Sequence, residues 1–154
     1  MNEGKQQHRN PIPTVDTIIQ KDSQVLLVIR KKDPFKEKMV FPGGFVNEGE
    51  TVEDAAIREV KEETSLDIEL ENILGVYSDP SRDPRGHIMS TVFVGRISEK
   101  SSNKEPMAGD DAAAIKWIDL GDIEEESLGF DHKKILMDYK EWKQSKQTYW
   151  SSKK

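Results

Sequence analysis

Apolar and polar positions divide the chain into short runs separated by clear breaks. Residues 14–20 and 24–30 are rich in β-branched side chains, and the polar Lys21-Asp22-Ser23 between them predicts two strands joined by a turn. Residues 31–38 read as a charged loop containing Pro34 and Phe35. The apolar stretch 39–45 is interrupted by Pro42-Gly43-Gly44, a strong breaker that predicts a turn. Val52, Ala55, Ala56 and Val60 then recur at helical spacing. Thr51 with Asp54 three residues on makes a capping-box-like start, so a helix is expected over 51–64. Residues 68–77 and 87–97 read as strands around the polar stretch SDPSRDPRG. A loop over 98–111 and a short strand over 112–118 follow. From Phe130 to about Trp150 a second helix is expected, with Ile135, Leu136, Tyr139 and Trp142 on one face. Strands, helix, strands, helix predicts an α/β layered domain with a mixed sheet between helices.

Composition narrows the class. A chain of 154 residues suits one compact domain that can bury a real core, expected over 11–150 behind a mobile tail at 1–10. There is no cysteine, which excludes a disulfide framework and a thiolate zinc site. The N-terminus lacks the apolar stretch of a signal peptide, and no apolar run is long enough to span a bilayer, so a cytoplasmic protein is expected. Formal net charge is −6, which argues against nucleic acid or an anionic membrane as partner. A small phosphate ligand remains compatible if a metal, or a few placed Arg and Lys residues, offset the acidic groups.

The candidate chemistry sits in the first helix. Each helical residue turns about 100°, so Glu59, Glu62 and Glu63 share one face. Like charges at these spacings weaken a helix by about 0.2–0.5 kcal/mol per pair. A divalent cation removes that conflict, and magnesium suits a site of carboxylates, waters and substrate phosphate. The competing reading, a solvated acidic face, is the better one for this hexapeptide alone. The wider spacing reverses the judgement. Gly44 is followed by Glu50, then Arg58-Glu59, Val60, Glu62-Glu63 and Leu66. This resembles the Nudix box, G-x5-E-x7-R-E-U-x-E-E-x-G-U with U aliphatic, and departs from it only at Ser65, where the family has glycine. Such a match arises by chance on the order of once in 10^8 windows at ordinary residue frequencies.

The resemblance to the Nudix family implies an α/β/α sandwich with a mixed sheet, and attack of water on phosphorus in a nucleoside diphosphate linked to another group. It also implies Glu59, Glu62 and Glu63 as ligands of Mg2+, with Mn2+ as the alternative, and a further ligand from a main-chain carbonyl at Gly44. Glu50 is then expected to pair with Arg58 or to hold a metal-bound water, and Arg58 to orient the carboxylates. The segment 77–87 looks like the corresponding part of Nudix ADP-ribose pyrophosphatases, with Pro80 in the place of their characteristic proline. Asp33-Pro34-Phe35-Lys36 and Gly129-Phe130-Asp131-His132 resemble the same subgroup, so the likeness spans residues 14–142. In such enzymes ADP-ribose yields AMP and ribose 5-phosphate.

Arg82 and Arg85 suit phosphate or a ribose diphosphate; the competing reading is a Pro-rich turn whose Arg and Asp residues pair with each other. Phe35 is a candidate to stack on a base, or else a loop aromatic packed on its neighbours. His87 and His132 read as structural hydrogen-bonders. A general base outside the box is sought in the acidic loop, where Asp111, Asp110 and Glu105 compete with a plainly solvated loop; related sequences often carry glutamate where this chain has Ala114. Two other functions stay open: hydrolysis of oxidised nucleoside triphosphates, and a non-catalytic ADP-ribose sensor. Sensors of this type usually add a winged-helix domain, for which the four residues after Trp150 leave no room. A homodimer is the assembly the resemblance implies, with a nucleotide sugar as small-molecule partner.

Overall fold

A computed structural model describes residues 9–154; most of the tail expected at 1–10 lies outside the described residues. The core is a mixed sheet built from β1 (Ile12–Lys21), β2 (Gln24–Arg30), β3 (Met39–Val40), β4 (Gly43–Phe45), β5 (Ile68–Tyr77), β6 (Ile88–Ile97), β7 (Ala112–Asp119) and β8 (Tyr149–Trp150). Its spine runs β3-β2-β1-β6-β5-β8, with β4 also paired to β1 and β7 to β2. The β1–β6 and β5–β8 pairs are parallel and the others antiparallel. Central β1 is buried from Thr14 to Ile19, so Thr14, Asp16 and Thr17 are buried along with Val15, Ile18 and Ile19.

Two helices cover the sheet, one on each face. The first, α1 (Val52–Thr64), lays Ala55, Ala56 and Val60 on Val15, Phe93, Ile19 and Leu26. Thr51 caps it by accepting from the Asp54 N–H at 3.1 Å. On the opposite face α2 (His132–Ser145) buries Ile135, Leu136, Tyr139 and Trp142 against Ile18, Val25, Leu27 and Val92. This is the α/β/α sandwich with a mixed sheet that was expected. No described helix is long and apolar enough to cross a membrane.

Two expectations need correction. The second helix stops at Ser145, because Lys146 enters the left-handed region (φ 55°) and caps it with an N–H to the Trp142 carbonyl. Tyr149-Trp150 then joins the sheet beside β5. Ser151 Oγ accepts from the N–H groups of Ser78 and Asp79 at 2.9 and 3.2 Å, tying the chain end to the root of the 78–87 segment. The second correction concerns Gly43-Gly44, which form strand β4, not a turn. Val15 pairs with Gly44 and Asp16 with Gly43. A Cβ at Gly43 would run into the Val15 carbonyl, and one at Gly44 into the Glu59 carboxylate. Glycine is required here for close approach, so the breaker signal marked a tight contact between strand and helix.

Candidate active site

An open cleft of about 500 Å³ lies where β1, β4 and α1 meet the segments before β6 and α2. One wall is acidic. Glu59 and Glu63, one turn apart on α1, both line it, and the Gly43 N–H donates to Glu63 Oε2 at 3.2 Å. Arg58 organises the same wall from behind. Its Nε donates to both Glu50 oxygens at 2.9 and 3.1 Å, Nη1 to Glu59 Oε1 at 2.7 Å and Glu62 Oε2 at 3.2 Å, and Nη2 to the Phe45 carbonyl at 2.9 Å. Those bonds hold Glu50 below the usual carboxylate range and raise Arg58 above the usual arginine range. Burial lifts Glu59. Burial, followed by the nearby Glu59 charge, pushes Glu63 up to about 8. Burial and mutual repulsion thus hold the carboxylates of this wall toward their protonated form.

Below it is a polar floor that the sequence reading missed. Asp16, 8% exposed in the middle of β1, accepts from Ser90 Oγ at 2.6 Å. Arg82 Nη2 lies 3.9 Å from one Asp16 oxygen and His132 Nε2 lies 3.7 Å from the other. His132 Nδ1 accepts from the Phe41 N–H at 3.0 Å, which leaves the ring proton on Nε2, facing Asp16. The available signal was a carboxylate inside a run of β-branched residues that reads as a buried strand, since a buried charge requires partners.

The expected site residues divide into three groups. Glu50, Arg58, Glu59, Glu63 and Gly44 converge as one unit. Asp111 lines the cleft at its rim, pairing with Lys32 at 3.2 Å. The 98–111 loop brings it there by docking on the end of α1, with the Met107 and Gly109 N–H groups donating to the Thr64 and Glu63 carbonyls at 2.9 Å. Arg85 also reaches the cleft, while pairing with Asp83 at 2.8 Å.

Three expected placements are revised. Glu62 does not join Glu59 and Glu63 in the cleft: its side chain is 59% exposed and turned to Arg58, its i−4 neighbour. Among the described residues no three acidic or histidine side chains converge into a metal cage. Arg82 lines the cleft but is buried and bidentate to Asp131 at 2.9 and 2.7 Å, so its Nε and Nη2 are committed to the start of α2 and only Nη1 lacks a partner among the described residues. Phe35 packs on Phe130, ring centres 4.6 Å apart, and borders a neighbouring hollow instead of the main cleft.

Chemically, Glu59 and Glu63, with Gly44 packed against the Glu59 carboxylate, present hard oxygen donors, which fits a divalent cation that keeps waters and substrate oxygens as its other ligands. On the other side Arg30 and Arg85 supply positive charge.

The family model for the NUDIX domain matches residues 10–139. The chain is 48% identical over 134 residues to an ADP-ribose pyrophosphatase from Methanocaldococcus jannaschii, covering 87% of this chain and 76% of that protein. It is similar in structure to the NUDIX domain of NrtR from Shewanella oneidensis, complexed with ADP ribose: TM-score 0.74, 26% identity, 91% of this chain and 93% of that one. A bifunctional NMN adenylyltransferase/ADP ribose pyrophosphatase from Francisella tularensis, complexed with AMP and a manganese ion, superposes with a TM-score of 0.71 at 29% identity, over 87% of this chain and 42% of that one.

Proposed function

Because the chain belongs to the NUDIX family and is a hydrolase of that family, we propose that it cleaves ADP-ribose to AMP and ribose 5-phosphate. Water adds to one phosphorus, the bridging P–O bond breaks, and each product keeps one phosphate. The observation that carries the substrate is the 48% identity to an ADP-ribose pyrophosphatase across most of both chains.

A divalent ion, magnesium with manganese as the alternative, would be held by Glu59, Glu63 and the Gly44 carbonyl, with Glu62 able to join by turning from Arg58. When bound, it polarises a phosphoryl oxygen and lowers the pKa of water. The protein's own part is positional. Arg58 fixes the Glu59 carboxylate, Glu50 fixes Arg58, and the Gly43 N–H fixes Glu63. Arg82 locks the 78–87 segment to α2 through Asp131, and so sets where Arg85 stands. Asp111, exposed at the rim, is the proposed proton acceptor for the attacking water. The proposal extends to a single domain over 11–150 that acts as a cytoplasmic homodimer and binds neither nucleic acid nor membrane, a reading supported by the acidic net charge.

Purified protein incubated with magnesium and a nucleotide panel tests the substrate, with products identified by mass. AMP and ribose 5-phosphate are expected from ADP-ribose. Rapid turnover of an oxidised nucleoside triphosphate, with ADP-ribose untouched, would overturn the assignment. A second reading, an ADP-ribose sensor, is favoured by the likeness to the NrtR domain bound to ADP ribose. Tight binding of ADP-ribose without cleavage, in magnesium and in manganese, would select it.

A further inference from the structure

Residues 149–153 lie against the root of the 78–87 segment and are fastened there at several points. Tyr149 and Trp150 pair with Gly75 and Val76 of β5. A Cβ at Gly75 would strike the Tyr149 carbonyl, so glycine admits this close approach. Tyr149 is buried, and its hydroxyl stands 2.9 Å from Ser145 Oγ at the end of α2. Ser151 Oγ accepts from the N–H groups of Ser78 and Asp79 at 2.9 and 3.2 Å. The Lys153 carbonyl accepts from Lys134 Nζ at 2.6 Å. Lys134 also bonds Asp138 at 2.7 Å, and Asp138 accepts from the buried Tyr77 hydroxyl at 2.7 Å. Burial, followed by the Asp138 bond, holds that phenol above its usual range, so it stays a donor. Residues 149–153 are thus joined to β5, to the segment and to α2.

The segment is bonded largely within itself. Asp79 accepts from the Ser81 N–H at 2.8 Å, and Asp83 from the Arg85 N–H at 2.9 Å. Near its middle Arg82 ties it to Asp131 at the start of α2, and at its root Ser151 ties it to the strand beside β5. One anchor would let the segment pivot, whereas two at separate points fix its direction. Arg82, Asp83 and Arg85 line the cleft, while Ser151 stands outside it, on the neighbouring hollow. We propose that residues 149–153 form a strap that sets the pose of the 78–87 segment over the cleft, with Ser151 as a positioning residue for substrate binding. Ser151 acts through the backbone of Ser78 and Asp79 and touches none of the acidic wall. Among the described residues no hydrogen bond or ion pair joins the strap to α1, so the strap governs binding and leaves the chemical step to α1. This inference rests on the reading of the cleft as the substrate site and adds a residue outside it.

Ser151→Ala, Ser151→Val and Ser151→Thr test it against the wild-type protein. Hydrogen exchange is followed with chelator present, and kinetics with magnesium on each nucleotide of the panel that the wild type turns over. Threonine keeps the hydroxyl acceptor, and valine has its shape without it. In the Ala and Val variants the amides of residues 78–87 should exchange faster, while those of α1 keep the wild-type rate. KM should rise about three- to tenfold, the worth of one or two hydrogen bonds, with kcat little changed. Ser151→Thr should restore both readouts. Wild-type exchange in the Ala and Val variants overturns the strap. A matching fall in kcat, or faster exchange in α1 as well, also overturns it, because that marks a general loosening. If ADP-ribose is untouched and another nucleotide shows the split between KM and kcat, the strap stands and the substrate assignment falls. Release of AMP from ADP-ribose with unchanged KM in both variants does the reverse.

Discussion

Ser65 ends α1 at φ 64°, where the family pattern has glycine, and its N–H still reaches the Lys61 carbonyl at 2.9 Å. The departure thus leaves the cap geometry intact and adds a side chain to a left-handed position. Ser65→Gly should stabilise the protein by about 1 kcal/mol, raising the melting temperature by roughly 2–4 °C in a thermal scan. Glu63 makes a pH prediction. Folded, it keeps its proton up to about 8, against 4.5 for an ordinary glutamate, so the folded chain binds more protons than the unfolded one between those values. Stability must therefore fall as pH rises through that window in chelator, and level off above it. Glu63→Gln should flatten the slope, and so should saturating magnesium, since a bound ion displaces the proton. A melting temperature independent of pH over the window in the wild-type protein would contradict the assignment. Arg58→Ala removes the bonds that orient Glu50, Glu59 and Glu62, and should cost about 10–100-fold in turnover or metal affinity, measured by kinetics over a magnesium series.

At the scale of elements, α1 was legible because its signals are local: a cap, an apolar stripe and a patterned acidic face all lie within one segment. β4 was not. Pro42-Gly43-Gly44 has the composition of a turn, and only the packing of β1 on one side and Glu59 on the other makes it a strand. Gly43→Ala should be destabilising by about 1–3 kcal/mol by denaturant titration, since the Val15 carbonyl it would strike is backbone and cannot swing away. The end of α2 was misjudged for a related reason. Lys, Gln and Ser all tolerate helix, and what stops it is Tyr149, buried at 4% exposure among α2 and sheet residues, which draws Tyr149-Trp150 onto β5. Asp111 reaches the cleft only because its loop satisfies the carbonyls at the end of α1, a contact between distant segments.

Across the whole molecule, Val76 and Trp150 lie opposite each other in register on β5 and β8, and both are exposed, as is Ile73 nearby on β5. An apolar strip at a sheet edge supports the proposed homodimer. Light scattering should give twice the chain mass for the wild-type protein and a lower mass for Trp150→Glu; a monomeric wild type would refute the dimer. By itself, the sequence determined the layered class, the order of the long strands and the two helices, and the acidic unit of Glu50, Arg58, Glu59 and Glu63, because those follow from periodicity and from residues close along one chain segment. The tertiary structure alone decided that Glu62 turns to Arg58, that Arg82 lines the cleft locked to Asp131 while Arg85 lines it paired with Asp83, and that Asp16, His132 and Arg30 belong to the site. Each of these is a competition between partners brought together from β1, β2, the 78–87 segment and α2, and no spacing along the chain records which partner wins.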